Sequence, residues 1–546
     1  MPALLLAALL AGVAVPGARA QGDDRAPAAE APEAAPLAEA APAAGEPAAD
    51  ETFDVWEFQV EGNTLLPQVD IERAVYGHLG KGRTFENIDA ARQQLEALYR
   101  DRGFGTVLVD IPEQDVSTGV VRLAVTQGAV ERLRVSGSRY FSLGRIKSRV
   151  PALAEGSVPY LPAVQAELAA LNRSSADRRI TPVLRPGRTP GRLEVDLKVE
   201  DKLPLHAAVD LNDRRSADTT RTRLNATLRY DNLWQREHGL SVSYQVSPQD
   251  ANEVEVVSGT YVARFAGSPN VLALYAVRSN TDVATVGTLG VIGSGTIAGL
   301  RYTLPLAGTD RWFHSATAGA DYKDFDEDIA LQGADSIRSP ISYLSLTASY
   351  SATLLGDSGT TRFDLGATFA PRGLGNTTKE FDIKRFGATP GFAVFRAGVE
   401  HRHKAWFGTQ ILARLDGQVA SAPLVSNEQF GIGGLDSVRG YLESQNLGDD
   451  GATATLEWRS PSFAPRLSAR LNDLTLFAFS DFGYVRTRDP LPGQDASATL
   501  ESAGAGVSAR AFDGLSASLA WAWPLRDARG VTAAHPRIHF NLGYEF

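Results

Sequence analysis

The chain has 546 residues, 54 Lys and Arg against 64 Asp and Glu for a net charge of -10, no cysteine and one methionine. The absence of cysteine excludes disulfide frameworks, thiolate zinc sites and thiol catalysis. The acidic balance supplies no Lys/Arg-rich surface to displace counterions from phosphates, so nucleic acid is not an expected partner.

Residues 1–20 are an apolar run closing on Ala18-Arg19-Ala20, the small-x-small pattern of a cleaved signal peptide. It has no Lys or Arg before the apolar run. Residues 21–52 are almost entirely Ala, Pro, Glu, Asp and Gly. Such a tract buries too little apolar surface to offset chain entropy, and reads as a disordered tether. Its prolines argue against a helix.

An internal repeat follows. Phe58-Gln-Val60-Glu-Gly62-Asn63-Thr-Leu65-Leu66 recurs as Leu133-Arg-Val135-Ser-Gly137-Ser-Arg-Tyr140-Phe141, with the glycines 75 positions apart. Each copy opens with a strand and a glycine turn and passes into helical spacing. Ile88, Ala91, Leu95, Leu98 and Tyr99 share one helical face in the first copy, and Val164, Leu168 and Leu171 in the second. Each closes on alternating strands, at Val121, Leu123 and Val125, then at Leu193, Val195, Leu197 and Val199. The expected units are β-α-α-β-β, spanning 53–127 and 128–201, and this pattern resembles the POTRA (polypeptide-transport-associated) domain in tandem.

From residue 202 to the end, apolar and polar residues alternate with period two. Leu224, Ala226, Leu228 and Tyr230 oppose Arg223, Asn225, Thr227 and Arg229, and Ala452, Ala454, Leu456 and Trp458 oppose Thr453, Thr455, Glu457 and Arg459. A polar inner face and an apolar, aromatic-ended outer face are what a transmembrane β-barrel needs, and roughly sixteen such segments can be marked, an even number as bacterial barrels require. No run of about 18 apolar residues follows the leader, so a closed barrel is the expected way of crossing the membrane. A soluble β-sandwich also alternates, but its strands have no reason to end in Trp and Tyr. The middle third is the least regular. Val271 to Val277 is apolar on both faces, and residues 324–339 fit either loop or short strand.

Two motifs carry the functional reading. In the longest gap between strands, 421–450, stands Gly431-Ile-Gly-Gly434-Leu-Asp-Ser-Val438-Arg439-Gly440-Tyr441. Further on comes Phe479-Ser-Asp481-Phe-Gly483, whose alternation places Phe479, Asp481 and Gly483 on the lumen side. Together they resemble the Val-Arg-Gly-Tyr loop motif and the Phe-x-Asp-x-Gly strand motif of the superfamily of barrel-assembly factors and two-partner secretion transporters. That resemblance implies a loop folded into the lumen, with Arg439 meeting Asp481. A planar guanidinium inside a barrel must be paired, and a carboxylate fits its fork. Glu457 and Arg459, also facing inward, are expected to complete the network. The final strand carries Ile538, Phe540, Leu542, Tyr544 and Phe546 on one face, resembling the C-terminal insertion signal of outer-membrane barrels.

Two POTRA-like units before a 16-stranded barrel resemble the two-partner secretion transporters of the haemolysin secretion/activation family (TpsB). The resemblance implies an outer-membrane protein of a Gram-negative cell with its POTRA domains in the periplasm. It implies a partner too, a large exoprotein of adhesin or haemolysin type, bound by its amino-terminal region and exported through the barrel. Outer-membrane lipid and, during biogenesis, the barrel-assembly machinery are further expected partners. The sheet edges and the groove beside the helix containing Leu95, Leu98 and Tyr99 are the expected substrate surface, through strand addition. A barrel-assembly factor is the alternative reading, and a passive porin is disfavoured by the repeat. No Gly-x-Ser-x-Gly elbow is present, and no catalytic residue, cofactor or metal is expected. His401 and His403 read as interfacial side chains rather than ligands.

Overall fold

A computed structural model describes residues 52–217, 219–265, 267–281, 283–286, 289–292, 294–329, 337–375 and 377–546. The expected signal peptide, and the tether up to residue 51, lie outside the described residues.

The first small unit holds strands Phe53–Val55, Glu57–Glu61, Gly80–Arg83, Val107–Asp110 and Val120–Gln127, with helices Gln68–Val75 and Phe85–Asp101. Strand Val120–Gln127 is central, parallel to Glu57–Glu61 and antiparallel to Val107–Asp110. The long helix starts at Thr84, whose backbone N–H donates to Asn87 Oδ1 at 3.1 Å in a capping box. It buries Ile88, Ala91, Leu95 and Tyr99 against Val121, Leu123 and Val125. Each fully buried Leu or Ile here contributes about 2 kcal/mol.

The second unit repeats the plan. Its strands are Ala129–Ser136, Arg178–Pro186 and Arg192–Asp201, its helices Leu143–Ser148 and Leu161–Arg173. The repeated glycines have one physical reason. Gly62 and Gly137 take φ of +85° and +87°, and a Cβ on either would lie 2.4 Å from a carbonyl oxygen of the central strand, that of Val125 or of Val199. No side chain fits in that space.

Sixteen antiparallel strands, from Leu205–Asn212 to Arg537–Glu545, close into a barrel. The final strand pairs with the first from Asn541↔Asn212 to Glu545↔Ala208, a seam far shorter than the ladder from Trp312↔Leu354 to Ile329↔Ile337. The two strands of that long ladder, Trp312–Ile329 and Ile337–Leu355, settle both ends of the uncertain segment 324–339 as strand; residues 330–336 lie outside the described residues. Asp324, Asp326, Glu327 and Asp328 hide the alternation there. On the outer face Leu228, Leu240, Val242, Phe395, Leu456, Trp458 and Trp521 are exposed, as a lipid-facing surface requires.

The lumen is not empty. Helix Thr378–Lys384, in the connection 370–392, turns Phe381 inward. Phe381 and Phe392 pack with Tyr343, Phe325, Ile297, Val277 and Val256 from the barrel wall and with Leu424 and Val425 from the next long connection. This explains the doubly apolar strand at Val271 to Val277: lipid lies on one side, and Tyr275 and Val277 meet this plug on the other.

Candidate functional site: the in-folded loop and its anchors

Residues 421–449 leave the strand Gln410–Ala420, pair briefly as Phe430–Ile432 with Asn446–Gly448, and present a tip at 433–445. Gly433 and Gly434 turn it, both at φ +104°. Val438 and Tyr441 are buried with Ile432, Leu442, Val485 and Leu500.

Arg439 lies at the centre. Its Nε and Nη2 donate to Asp481 Oδ2 and Oδ1 at 2.7 and 2.8 Å, its backbone N–H reaches Oδ2 at 3.1 Å, and Nη1 donates to Glu457 Oε2 at 2.6 Å. Arg459 Nε supports the other Glu457 oxygen at 2.6 Å. The guanidinium carbon lies 3.5 Å from the centroid of the Phe479 ring. The Asp481 side chain is 0% exposed and that of Glu457 4%. Two buried carboxylates and one buried guanidinium thus neutralise each other through charge-assisted bonds, with Arg459 as the outer cation. Gly483 is explained by contact, since a Cβ there would lie 2.7 Å from Val438 Cγ2. The Tyr441 hydroxyl lies 2.9 Å from the carbonyls of both Glu501 and Arg526.

The Haemolysin secretion/activation protein ShlB/FhaC/HecB model matches residues 191–511, more than half of the chain, and the ShlB-type POTRA domain model matches 53–128. The chain belongs to the haemolysin secretion/activation family. Members of this family are outer-membrane secretion proteins, so the chain is an outer-membrane transporter of the two-partner secretion class with periplasmic POTRA domains, and not an enzyme. The outer membrane transporter CdiB of Dickeya dadantii (strain 3937) is 24% identical over 518 residues, 90% of this chain and 87% of the relative. The solved structure of CdiB from Escherichia coli covers 91% of both chains at a TM-score of 0.58 and 19% identity. BamA from Haemophilus ducreyi lacking POTRA domains 1-3 gives a TM-score of 0.56 at 14% identity over 90% of this chain and 100% of its own, a likeness of fold alone.

In this family member further anchors surround the loop that its sequence motifs do not mark. Arg214 clamps Asp436 of the tip at 2.6 and 2.9 Å. At the root of the loop Asp449, fully buried, accepts from Arg385 Nη2 at 2.7 Å and from the backbone N–H groups of Leu424 and Arg488 at 2.8 and 2.7 Å. Arg385 Nη2 also donates to the Arg488 carbonyl at 3.0 Å. This knot ties the connection 370–392 to the loop root and to the next connection. The one local signal for that region was the capping box Thr377-x-x-Glu380. The pairing of Arg385 with Asp449 spans 64 positions and leaves no local trace.

One expectation is overturned. Leu95 and Tyr99 are 0% exposed in the core of the first unit, with Leu98 packed against it, so they do not form an open substrate groove. The helical face they share is the one that covers the sheet. On the last strand Leu542, Tyr544 and Phe546 are exposed on the outer side, Phe540 is half-buried, and the Tyr544 and Phe546 rings meet edge-on at 4.5 Å. His401 and His403 stack at 5.8 Å on the same outer face as Phe395.

The second unit docks on the barrel at the turn 234–237. Glu237 takes Arg149 Nη1 at 2.7 Å and Arg178 Nη2 at 3.0 Å. The Tyr140 carbonyl accepts from Asn232 and Gln235 at 3.0 and 3.1 Å. Burial alone would raise the Glu237 carboxyl; the Arg149 hydrogen bond and the two guanidinium charges outweigh it and hold it below the usual carboxylate range. Beside it Asp177, His206 and Asp231 converge. Their carboxylates are already neutralised, by Lys202 at 3.4 Å and Arg229 at 2.9 Å, which makes them part of the same ionic junction.

Proposed function

We propose that this transporter binds one unfolded exoprotein through its POTRA pair and passes it outward through the barrel as the loop 421–449 leaves the lumen. The observation that carries this reading is an occluding element held without covalent bonds, its tip locked by the hydrogen-bonded ion pairs of Arg439 with Asp481 and Glu457. Such a lock is specific in geometry and reversible, whereas a passive pore has no use for one.

Capture is assigned to the sheet edges rather than to the helix face, which is buried. Val107–Asp110 in the first unit and Arg178–Pro186 in the second lie at the edges of their sheets, and Leu108 and Leu184 are exposed on them. An extended amino-terminal segment of the exoprotein would add there as a strand, with main-chain bonds giving affinity and side-chain contacts selectivity. Cross-linking in the periplasm followed by capture of the full-length protein tests this. One dominant large secreted partner is expected; a broad set of barrel precursors without such a partner would establish the assembly-factor reading instead.

A further inference from the structure

The Arg439 ion pairs fasten the loop tip to strands Asp450–Arg459 and Leu471–Arg486. A separate chain of contacts fastens it to the barrel seam. The Gly440 N–H donates to His539 Nε2 at 2.8 Å, His539 Nδ1 lies 2.9 Å from Asp213 Oδ2, and Asp213 Oδ1 accepts the Phe540 N–H at 2.9 Å. His539 is on the last strand and is 3% exposed; Asp213 directly follows the first strand. The seam ladder ends at Asn541↔Asn212, so the Asp213 carboxylate continues it by one side-chain bond.

Hydrogen-bond chemistry fixes the state of the ring. The Gly440 N–H is a donor, so Nε2 must present its lone pair, and the single proton of the neutral imidazole sits on Nδ1, donated to Asp213. Gly440 takes φ +95°, and a Cβ there would lie 3.3 Å from Pro524 N and 3.4 Å from Ala522 Cβ. The glycine lets the tip come close enough to the wall for this contact.

We infer that His539, oriented by Asp213, is a positioning residue that couples the loop tip to the seam between the first and last strands. The inference rests on the reading that this loop occludes the transport path. The tip cannot leave the lumen without releasing the inner face of the last strand. The charged groups around the ring are Asp213, in contact with it, and Glu443. Beyond them stand Arg214 paired with Asp436, Arg439 paired with Asp481 and Glu457, and Arg215, Arg221 and Arg537 near Asp213.

The test is single-channel conductance of the full-length protein in planar bilayers at neutral pH, for wild type, His539→Phe and Arg439→Ala. Heat-modifiable gel mobility confirms that each barrel is folded. His539→Phe should open about fivefold more often than wild type, the population shift of one net hydrogen bond. A folded His539→Phe that is as closed as wild type overturns the inference. If Arg439→Ala opens the channel and His539→Phe does not, the occluding-loop reading survives and the coupling through His539 is wrong. If neither opens it, both fall.

Discussion

Replacing Arg439 with Ala removes three side-chain hydrogen bonds to carboxylates and the ring contact with Phe479. Asp481, fully buried, keeps only the backbone N–H of residue 439, whereas Glu457 keeps Arg459 at 2.6 Å. Breaking a buried pair by removing one partner costs about 3–5 kcal/mol. The surviving donors place this case near the lower figure, and loss of the cation–π contact adds about 1–2 kcal/mol. The sum, about 4–5 kcal/mol, corresponds to roughly a thousandfold change in the ratio of locked to unlocked loop, since about 1.4 kcal/mol is tenfold. The barrel ladder is untouched, so the variant should insert and remain heat-modifiable while its conductance rises and secretion of the exoprotein falls sharply. Arg439→Lys should recover little, because a point-charge ammonium can neither bridge both oxygens of Asp481 nor lie flat on Phe479. Secretion at the wild-type level by a folded Arg439→Ala, with conductance unchanged, would refute the assignment of Arg439 as the lock.

Deleting residues 430–445 should raise conductance beyond that of Arg439→Ala, measured in the same bilayers, because the tip itself is then gone. Arg385→Ala, which takes from the fully buried Asp449 its charged partner and leaves it only neutral donors, should also raise conductance, and its effect should add to that of Arg439→Ala because the two knots share no partner. Gly137→Ala places a Cβ 2.4 Å from the Val199 carbonyl at positive φ; a cost of at least ~2 kcal/mol in the second unit should appear as faster periplasmic proteolysis with normal barrel insertion. The junction should be acid-resistant: a carboxyl held below its unfolded value gives stabilisation that is fully present above that value and is lost as pH falls through the folded one. With the folded Glu237 carboxyl depressed, limited proteolysis between the second unit and the barrel should accelerate only below about pH 4. In Glu237→Gln, cleavage should be faster already at neutral pH.

The strands were legible because lipid on one side and water on the other impose period two. The reading weakened where that condition fails. At Val271 to Val277 the lumen side meets the helix bearing Phe381 rather than water, and near Asp326 the acidic run masks the alternation. Arg439 and Asp481 could be paired from sequence because both sit in recognisable motifs. His539, Asp213, Arg385 and Asp449 could not, since each partner lies tens to hundreds of positions away and each residue alone reads as a solvated side chain. The mistaken groove at Leu95, Leu98 and Tyr99 has a similar origin. One amphipathic face serves equally for packing and for binding, and only the sheet lying against it decides.

The ionic junction at Glu237 bears on transport in another way. A flexible tether between capture domain and channel would let a bound chain explore a wide volume before finding the entrance. Arg149, Arg178, Asn232 and Gln235 fix the second unit against the barrel rim. If the proposed capture on its edge strand Arg178–Pro186 holds, entry of the following segment would be an intramolecular event at an effective concentration on the order of millimolar.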